Sequence, residues 1–208
     1  MRLFSSTFAH EKRIPEYCAF GIPDPDDRMK LGLNRNPQLS WSDIPDGAKS
    51  LVLLCVDPDV PSVLDNFNQE GKTIAVNLPR VEFVHWVMVD IPAREGAIEE
   101  GSCCDGITAG GKTNPPGPAG SRQGINGYTG FMAGNPEMEG DYFGYDGPCP
   151  PWNDERLHHY NFTLYAIDLD SCPVPDRFTG AEVRQAIEGH ILAKAVLTGT
   201  YTLNAALA

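Results

Sequence analysis

The segment from Gly144 to Pro151, with the sequence GYDGPCPP, constrains the fold of this chain more than any other part. Proline fixes the φ angle and lacks a backbone N–H, so three prolines in four positions exclude a helix or a central strand. The segment is therefore predicted to be a stiff loop. It leads within a few residues to His158, His159 and Tyr160, at the start of a predicted strand. A rigid rim beside imidazoles is suited to a small pocket for a polar or anionic ligand.

Proline and glycine are frequent along the whole chain, which has 18 prolines and 21 glycines among 208 residues. Such a spread favours many short strands joined by turns. Apolar patterns predict strands at Leu51–Val56, Phe83–Ile91, His159–Asp168 and Val196–Leu203. Because strands outnumber helices, we predict a mostly β fold: a β-sandwich with one or two peripheral helices near the C-terminus, forming a single domain over residues 1–208.

The second of these strands is largely apolar on both faces, so it is predicted to be central in a two-layer structure. Strict alternation assigns its residues to two faces, with Phe83, His85, Val87 and Val89 on one and Val84, Trp86 and Met88 on the other. On this pattern His85 is open to two interpretations. It is either a core histidine whose hydrogen bonds are satisfied or a ligand-binding group.

One helix is predicted near the C-terminus. Thr179 and Glu182 have the spacing of a capping box, in which each side chain satisfies a backbone N–H of the other residue. Apolar residues then recur at helical spacing as far as Ile191, and His190 on the same side is interpreted as packing.

Residues 101–142 are rich in glycine and proline and show no clear period, which predicts a long loop excursion. Within it, Gly106–Thr113 matches the letters of a phosphate-binding P-loop. Such a loop needs a buried strand before it and a helix after it. Here Glu100–Asp105 is not an apolar strand, and Asn114 precedes a proline, which disfavours a helix. We therefore reject a nucleotide site in this segment.

The chain has 16 Lys and Arg residues against 28 Asp and Glu, a formal net charge of −12. An acidic surface repels phosphate backbones, so nucleic acid and anionic membrane surfaces are not expected partners. No run approaches the ~18 apolar residues of a membrane span, so no integral membrane segment is expected. Residues 1–15 lack the apolar core of a secretory signal. With six cysteines and no CxxC pair, these features favour a cytoplasmic protein with reduced thiols.

Groups able to bind a ligand stand on or beside three predicted strands. Asp57 and Asp59 follow the first strand, His85 lies on the second, and His158 and Tyr160 begin the third. If the strands are neighbours, these groups converge beside the proline-rich loop. Imidazole and phenol groups can donate to phosphate oxygens, and an aspartate can orient a histidine. The two aspartates with the proline between them are equally typical of a turn that ends a strand.

Neither a nucleophile–base pair nor the ligand spacing of a metal site is evident in the sequence. No catalytic residue, metal or cofactor is therefore predicted, and the protein is not expected to be an enzyme. A hydrolase that uses Asp57 and His158 as an acid–base pair is kept as an alternative, provided that a base lies within ~3 Å of a nucleophile or bound water.

Four segments in order resemble the phosphatidylethanolamine-binding protein family, in its bacterial and archaeal branch labelled Raf kinase inhibitor-like. They are Asp57–Pro61 (DPDVP), Val84–Pro92 (VHWVMVDIP), Gly144–Pro151 (GYDGPCPP) and His158–Ala166 (HHYNFTLYA). The segment Gly189–Tyr201 is similar to the C-terminal signature of that branch. The resemblance extends over roughly residues 15–203, nearly the whole chain.

This resemblance implies a large antiparallel sheet packed on a smaller one with Greek-key connections. It also implies a pocket for a small anion such as phosphate, acetate or a phospholipid head group. The pocket residues that it implies here are Asp57, His85, Gly147, Pro148, His158 and Tyr160, supported by Asp59, Pro61 and Trp86. It further implies a homodimer, cis peptide bonds at Pro58 or Pro148, and a protein kinase or protease as a candidate partner.

Two departures from the family pattern bear on function. His159 stands where the family has an arginine, which removes a permanent cation from the rim. The excursion over residues 117–141 is long, and Tyr128, Phe131 and Met132 on it are candidates for a lid or an interface. We therefore expect an anion-binding protein, with the hydrolase and a dimeric scaffold that has a vestigial pocket as alternatives.

Overall fold

The computed structural model describes all residues from Met1 to Ala208. It contains eleven strands, two α-helices and a short 3₁₀ turn at Glu16–Cys18. The strands are β1 (Arg2–Phe4), β2 (Lys12–Arg13), β3 (Gly21–Asp24), β4 (Arg28–Leu31), β5 (Leu39–Ser42), β6 (Ser50–Pro61), β7 (Arg80–Pro92), β8 (Gly96–Ile98), β9 (Arg122–Gln123), β10 (His158–Ile167) and β11 (Ile191–Tyr201). The helices are α1 (Tyr128–Phe131) and α2 (Gly180–Ala186).

The strands form three sheets, which confirms the predicted mostly β fold. The largest sheet has six strands in the order β2-β11-β10-β6-β7-β9, and the smaller ones have the orders β1-β5-β8 and β3-β4. All pairs are antiparallel except β2 with β11. After β7 the chain adds β9 at the edge of the large sheet and then crosses back to β10, which pairs with β6. This crossover brings the start of β10 next to the polar end of β6.

Apolar residues cover both faces of the large sheet. On one face, Leu53, Trp86 and Phe162 pack with Leu39 and Trp41 of the three-stranded sheet. On the other face, a second core cluster joins central strand residues to α2; its members include Val52, Leu54, Val87, Val183 and Ile187. The large sheet is therefore the middle layer, buried on both sides as its continuous apolar strands predict.

The central strands are longer than their apolar runs. The prediction that the first strand ends at Asp57 is wrong, because β6 continues to Pro61, although its register with β7 shifts between Asp57 and Val60. A proline within the strand is tolerated at such an irregularity, where the ladder hydrogen bond is already missing. The irregular end of β6 turns the two aspartates toward β10.

The predicted alternation along the second strand is also wrong. The register with β6 slips between Cys55 and Val56, so that these residues face Trp86 and Val84 and His85 has no partner. A bulge of this kind re-aims a side chain. His85 lies 5.0 Å from the ring of Tyr160, on the face that also carries Trp86, and is separated from the core cluster of Val87.

The helix and loop predictions are confirmed in part. Thr179 caps α2 with a complete capping box. The helix ends at Ala186, so the predicted extension to Ile191 is wrong; Gly189 has a φ of 81° and β11 begins at Ile191. The excursion over 101–142 is mainly irregular but contains β9 and α1.

No peptide bond is cis, contrary to the expectation at Pro58 or Pro148. Neither α1 nor α2 has the length and apolar content needed to span a membrane.

Candidate functional site

His158, the first residue of β10, lies between two buried carboxylates. Its Nδ1 is 2.7 Å from Asp57 Oδ2, and its Nε2 is 3.1 Å from Asp154 Oδ2. Burial by itself would lower the pKa of His158, but the hydrogen bonds to Asp154 and Asp57 outweigh it and raise the pKa to about 9. His158 is therefore an imidazolium at neutral pH, and both of its N–H groups donate to carboxylates.

Arg80, at the start of β7, completes this arrangement from the far side. Its guanidinium donates from both terminal nitrogens to Asp154, at 2.5 and 3.0 Å. Burial would raise the pKa of Asp154, but the hydrogen bonds from His158 and Arg80 lower it. Asp57, His158, Asp154 and Arg80 thus form a buried chain of alternating charges that balance one another, which we call the charge chain.

His85 is held differently. Its Nδ1 lies 2.8 Å from the backbone carbonyl oxygen of Asp146. A carbonyl can only accept, so Nδ1 carries the proton. Burial lowers the pKa of His85 despite the nearby charge of Asp57, so the ring is neutral at neutral pH. Its Nε2, which has no hydrogen-bond partner in the protein, therefore presents a lone pair.

Tyr160 supplies the second unpaired group. Its hydroxyl is the one buried side-chain nitrogen or oxygen in the protein without a hydrogen-bond partner, and the residue is only 1% exposed. The rings of Tyr160 and His85 are 5.0 Å apart. Burial raises the pKa of Tyr160 well above its usual value, so the phenol keeps its proton. Buried polar groups are normally satisfied, so this unpaired hydroxyl is an exception among the buried side chains of the protein.

Asp146 fixes the loop that positions His85. Its buried carboxylate accepts hydrogen bonds from Lys112 Nζ at 2.9 Å, Asn34 Nδ2 at 2.7 Å and Asn126 Nδ2 at 2.8 Å. These three partners come from distant parts of the chain, and the sequence analysis missed all of them together with Asp146. Lys112 belongs to the rejected P-loop-like segment, and its partner is this carboxylate.

Gly147 and Pro148 directly follow Asp146, the carbonyl partner of His85, but their backbone groups are already engaged. The N–H of Gly147 donates to Asn34 Oδ1, and its carbonyl accepts from the Tyr128 hydroxyl, both at 2.8 Å. The carbonyl of Pro148 accepts two backbone N–H groups, from Phe20 and its neighbour along the chain. A side chain at Gly147 would collide with the backbone of Cys18. The two residues shape the site and offer it no free donor.

The long excursion adds an aromatic wall. Tyr128 is buried, and its ring lies 5.8 Å from His85 in an edge-on orientation. Phe83 lies 4.8 Å from His85, and Phe131, 46% exposed, lies 6.4 Å from Phe83. Met132 packs against the cluster of Tyr128. Two of the predicted lid residues therefore line the approach to the imidazole.

The remaining predicted site residues lie around this centre. Asp59 accepts from His159 Nδ1 at 2.8 Å and has Arg156 at 3.5 Å, so a cation is present near the rim even without the family arginine. Pro61 pairs with the strand residue Arg80. Trp86 is fully buried in the larger core and donates to Gln123 Oε1. The structure thus brings Asp57, His85, His158 and Tyr160 together, and Asp59, Pro61 and Trp86 lie on the strands around them.

Comparison with known proteins identifies relatives of this chain. The family model described as "Phosphatidylethanolamine-binding protein" matches residues 4–202. A UPF0098 protein of Methanothermobacter thermautotrophicus is 35% identical over 173 residues, covering 82% of this chain and 84% of the relative. The UPF0098 protein YbcL of Escherichia coli is 30% identical over 172 residues, covering 83% and 74% of the two chains.

Two crystal structures share the fold. A phosphatidylethanolamine-binding protein homolog from Chlamydia trachomatis superimposes with a TM-score of 0.64 at 27% identity, covering 96% of this chain and 95% of its own. The structure of E. coli YbcL, described as a new member of the mammalian PEBP family, gives a TM-score of 0.69 at 24% identity, with 97% of each chain covered.

Proposed function

The chain belongs to the phosphatidylethanolamine-binding protein family, and we propose that it binds a small anion against His85 and Tyr160 without catalysing a reaction on it. The observation that carries the proposal is the unpaired, buried hydroxyl of Tyr160, whose ring lies 5.0 Å from the ring of His85 with its free Nε2. Inorganic phosphate, acetate and a phospholipid head group all present oxygen atoms that such groups bind.

The local charge balance supports binding of an anion in a strongly acidic protein. The four buried carboxylates at the site, Asp57, Asp59, Asp146 and Asp154, are each paired with a cationic side chain. An entering anion therefore does not meet uncompensated negative charge at the site, although the formal net charge of the chain is −12.

The same geometry disfavours the hydrolase alternative. A general base needs a free lone pair near the operating pH. Both nitrogens of His158 donate to carboxylates, and its pKa of about 9 keeps it protonated. Burial raises the pKa of Cys149 to about 12, which leaves this thiol a poor nucleophile.

Calorimetric titration with inorganic phosphate, acetate and O-phosphoethanolamine tests the proposal. We expect Tyr160→Phe to weaken binding by roughly 10-fold, the cost of one hydrogen bond to a charged group. Tyr165→Phe is the matched control, since Tyr165 is on the same strand but packs against the opposite core cluster. Absence of binding by all three anions at millimolar concentration, or equal effects of the two variants, would contradict the proposal.

A dimeric scaffold is a second candidate, favoured by an apolar surface away from the site. An open cavity of about 650 Å³ is lined by residues of β1 and β11, among them Phe4 and Val196, which are 49% and 44% exposed. Ile191 and Leu192 on β11 are exposed as well. Light scattering over a range of concentrations, with Val196→Lys as the disrupting variant, tests whether two copies associate through this face.

Two further expectations from the sequence stay predictions. One is docking to a protein kinase or protease. The other is a cytoplasmic location, with which six free cysteines are compatible.

A further inference from the structure

The ligand-facing atoms of the site differ in their ability to donate. His85 presents a lone pair at Nε2, because the carbonyl of Asp146 takes the proton of Nδ1. The Tyr160 hydroxyl can donate one hydrogen bond and also accept. The oxygens of Asp57 already accept from His158 and from the Asp59 N–H, and a carboxylate has no proton to give.

Charged and titratable groups surround His85 from every neighbouring element. Asp57 comes from β6, His158 and Tyr160 from β10, Tyr128 from α1, and Asp146 from the proline-rich loop. The two carboxylates favour protonation of His85, whereas burial and the positive charge of His158 oppose it. Burial and the charge of His158 together outweigh the two carboxylates, so the pKa of His85 is lowered and the ring is neutral when a ligand arrives.

A fully deprotonated oxyanion would therefore place an oxygen lone pair against the lone pair of Nε2. An oxyanion that keeps one proton avoids this repulsion, because its O–H donates to Nε2 while another oxygen accepts from the Tyr160 hydroxyl.

We infer that the site selects oxyanions that still carry a proton, such as hydrogen phosphate or a hydrogen-bearing phosphomonoester, over fully deprotonated ones of the same size and charge. The inference rests on the function proposed above and adds to it the class of ligand. A deprotonated oxyanion binds well only when His85 takes up a proton from solvent to supply the missing donor, so its affinity rises as the pH falls.

Sulfate and phosphate form the matched pair of probes. Both are tetrahedral, and at about pH 8 both are dianions, but only phosphate retains a hydrogen. We expect calorimetry to show that phosphate binds at least ~10-fold more tightly than sulfate at this pH, the cost of leaving a buried polar contact unmade. The difference should shrink as the pH falls, because protonation of His85 then supplies a donor.

Two variants sharpen the test. His85→Gln places an amide that can donate at this position, so it should abolish the discrimination between the two anions. His190→Gln is the control, because His190 pairs with Asp168 near the start of β11, and it should leave the discrimination unchanged.

Each outcome bears on a different claim. Equal affinities for sulfate and phosphate at about pH 8 would overturn this inference and leave the proposed anion binding intact. Failure of phosphate, acetate and O-phosphoethanolamine to bind at millimolar concentration would overturn the proposed function and this inference with it. Discrimination that survives in His85→Gln would assign the selectivity to another group and contradict the role given to Nε2.

Discussion

Two histidines on neighbouring parts of the same sheet have opposite physical roles. His158 is charged, because both of its nitrogens donate to carboxylates and its pKa is about 9. His85 is neutral, because burial lowers its pKa and only one nitrogen has a protein partner. Residue type and burial are similar in the two cases. Two carboxylate partners keep the imidazole of His158 charged, whereas a single carbonyl partner leaves His85 neutral with a free nitrogen.

The largest effect should come from breaking the charge chain. Arg80→Met leaves Asp154 buried with one cation fewer, and removal of one partner from a buried ion pair costs about 3–5 kcal/mol. Urea unfolding measures this loss. Arg184→Met removes a surface pair with Glu82 and should cost no more than about 1 kcal/mol. Losses of similar size in the two variants would mean that the charge chain is not a main source of stability.

The two histidines should also give opposite dependences of stability on pH. The pKa of His158 is raised on folding from an unfolded value of about 6.5 to about 9. Its contribution is complete below about 6.5 and is lost as the pH rises through about 9, a decrease of roughly 3 kcal/mol in the free energy of unfolding. The pKa of His85 is lowered, so its effect is a loss of stability as the pH falls below about 6.5.

Unfolding curves measured between about pH 5 and pH 9.5 separate the two contributions. Relative to the wild type, His158→Gln should have a flatter profile on the alkaline side, and His85→Gln a flatter profile on the acid side. The account of the two protonation states is wrong if both substitutions flatten the same side.

A smaller effect is expected at the loop that holds His85. Lys112→Met removes a hydrogen bond of 2.9 Å to the buried carboxylate of Asp146, which should cost about 1.5–3 kcal/mol of stability. Phosphate affinity should fall as well, because the Asp146 carbonyl fixes the orientation of His85. Lys194→Met on the exposed part of β11 should change neither property. Full retention of phosphate affinity in Lys112→Met would show that the loop does not position the imidazole.

The smallest change in stability should occur at Tyr160. Its substitution is expected to weaken phosphate binding without destabilising the fold. Tyr160→Phe removes a buried hydroxyl that has no partner, so the free protein should be unchanged or more stable by up to about 1 kcal/mol, even though it binds phosphate more weakly. A clear loss of stability in urea unfolding would mean that this hydroxyl has a partner in solution, which contradicts its assignment to a ligand.

The sequence predicts the framework of this molecule better than its electrostatics. The apolar runs identify the central strands β6, β7 and β10, and the Thr179 and Glu182 pair identifies the start of α2, because these signals are local. The motifs, compared with the family, also name the four residues that the structure brings together, Asp57, His85, His158 and Tyr160; their role as a site stays a prediction.

The parts that sequence reasoning missed depend on contacts between distant segments. The carboxylate of Asp146 accepts hydrogen bonds from Asn34, Lys112 and Asn126, and that of Asp154 accepts from the guanidinium of Arg80. No spacing rule joins such positions. An acidic residue four positions before His158 was the one local signal that could have suggested Asp154 as its partner. The side to which His85 points could not be predicted, because a bulge in the register breaks the alternation.

The most direct test of the central claim is nitrogen NMR of the histidine side chains during a titration with inorganic phosphate. The account predicts that His85 Nε2 resonates as an unprotonated nitrogen in the free protein and shifts as phosphate binds, whereas both nitrogens of His158 stay protonated and unmoved. A phosphate-dependent shift of His158 with His85 unchanged would contradict the assignment of the two imidazoles.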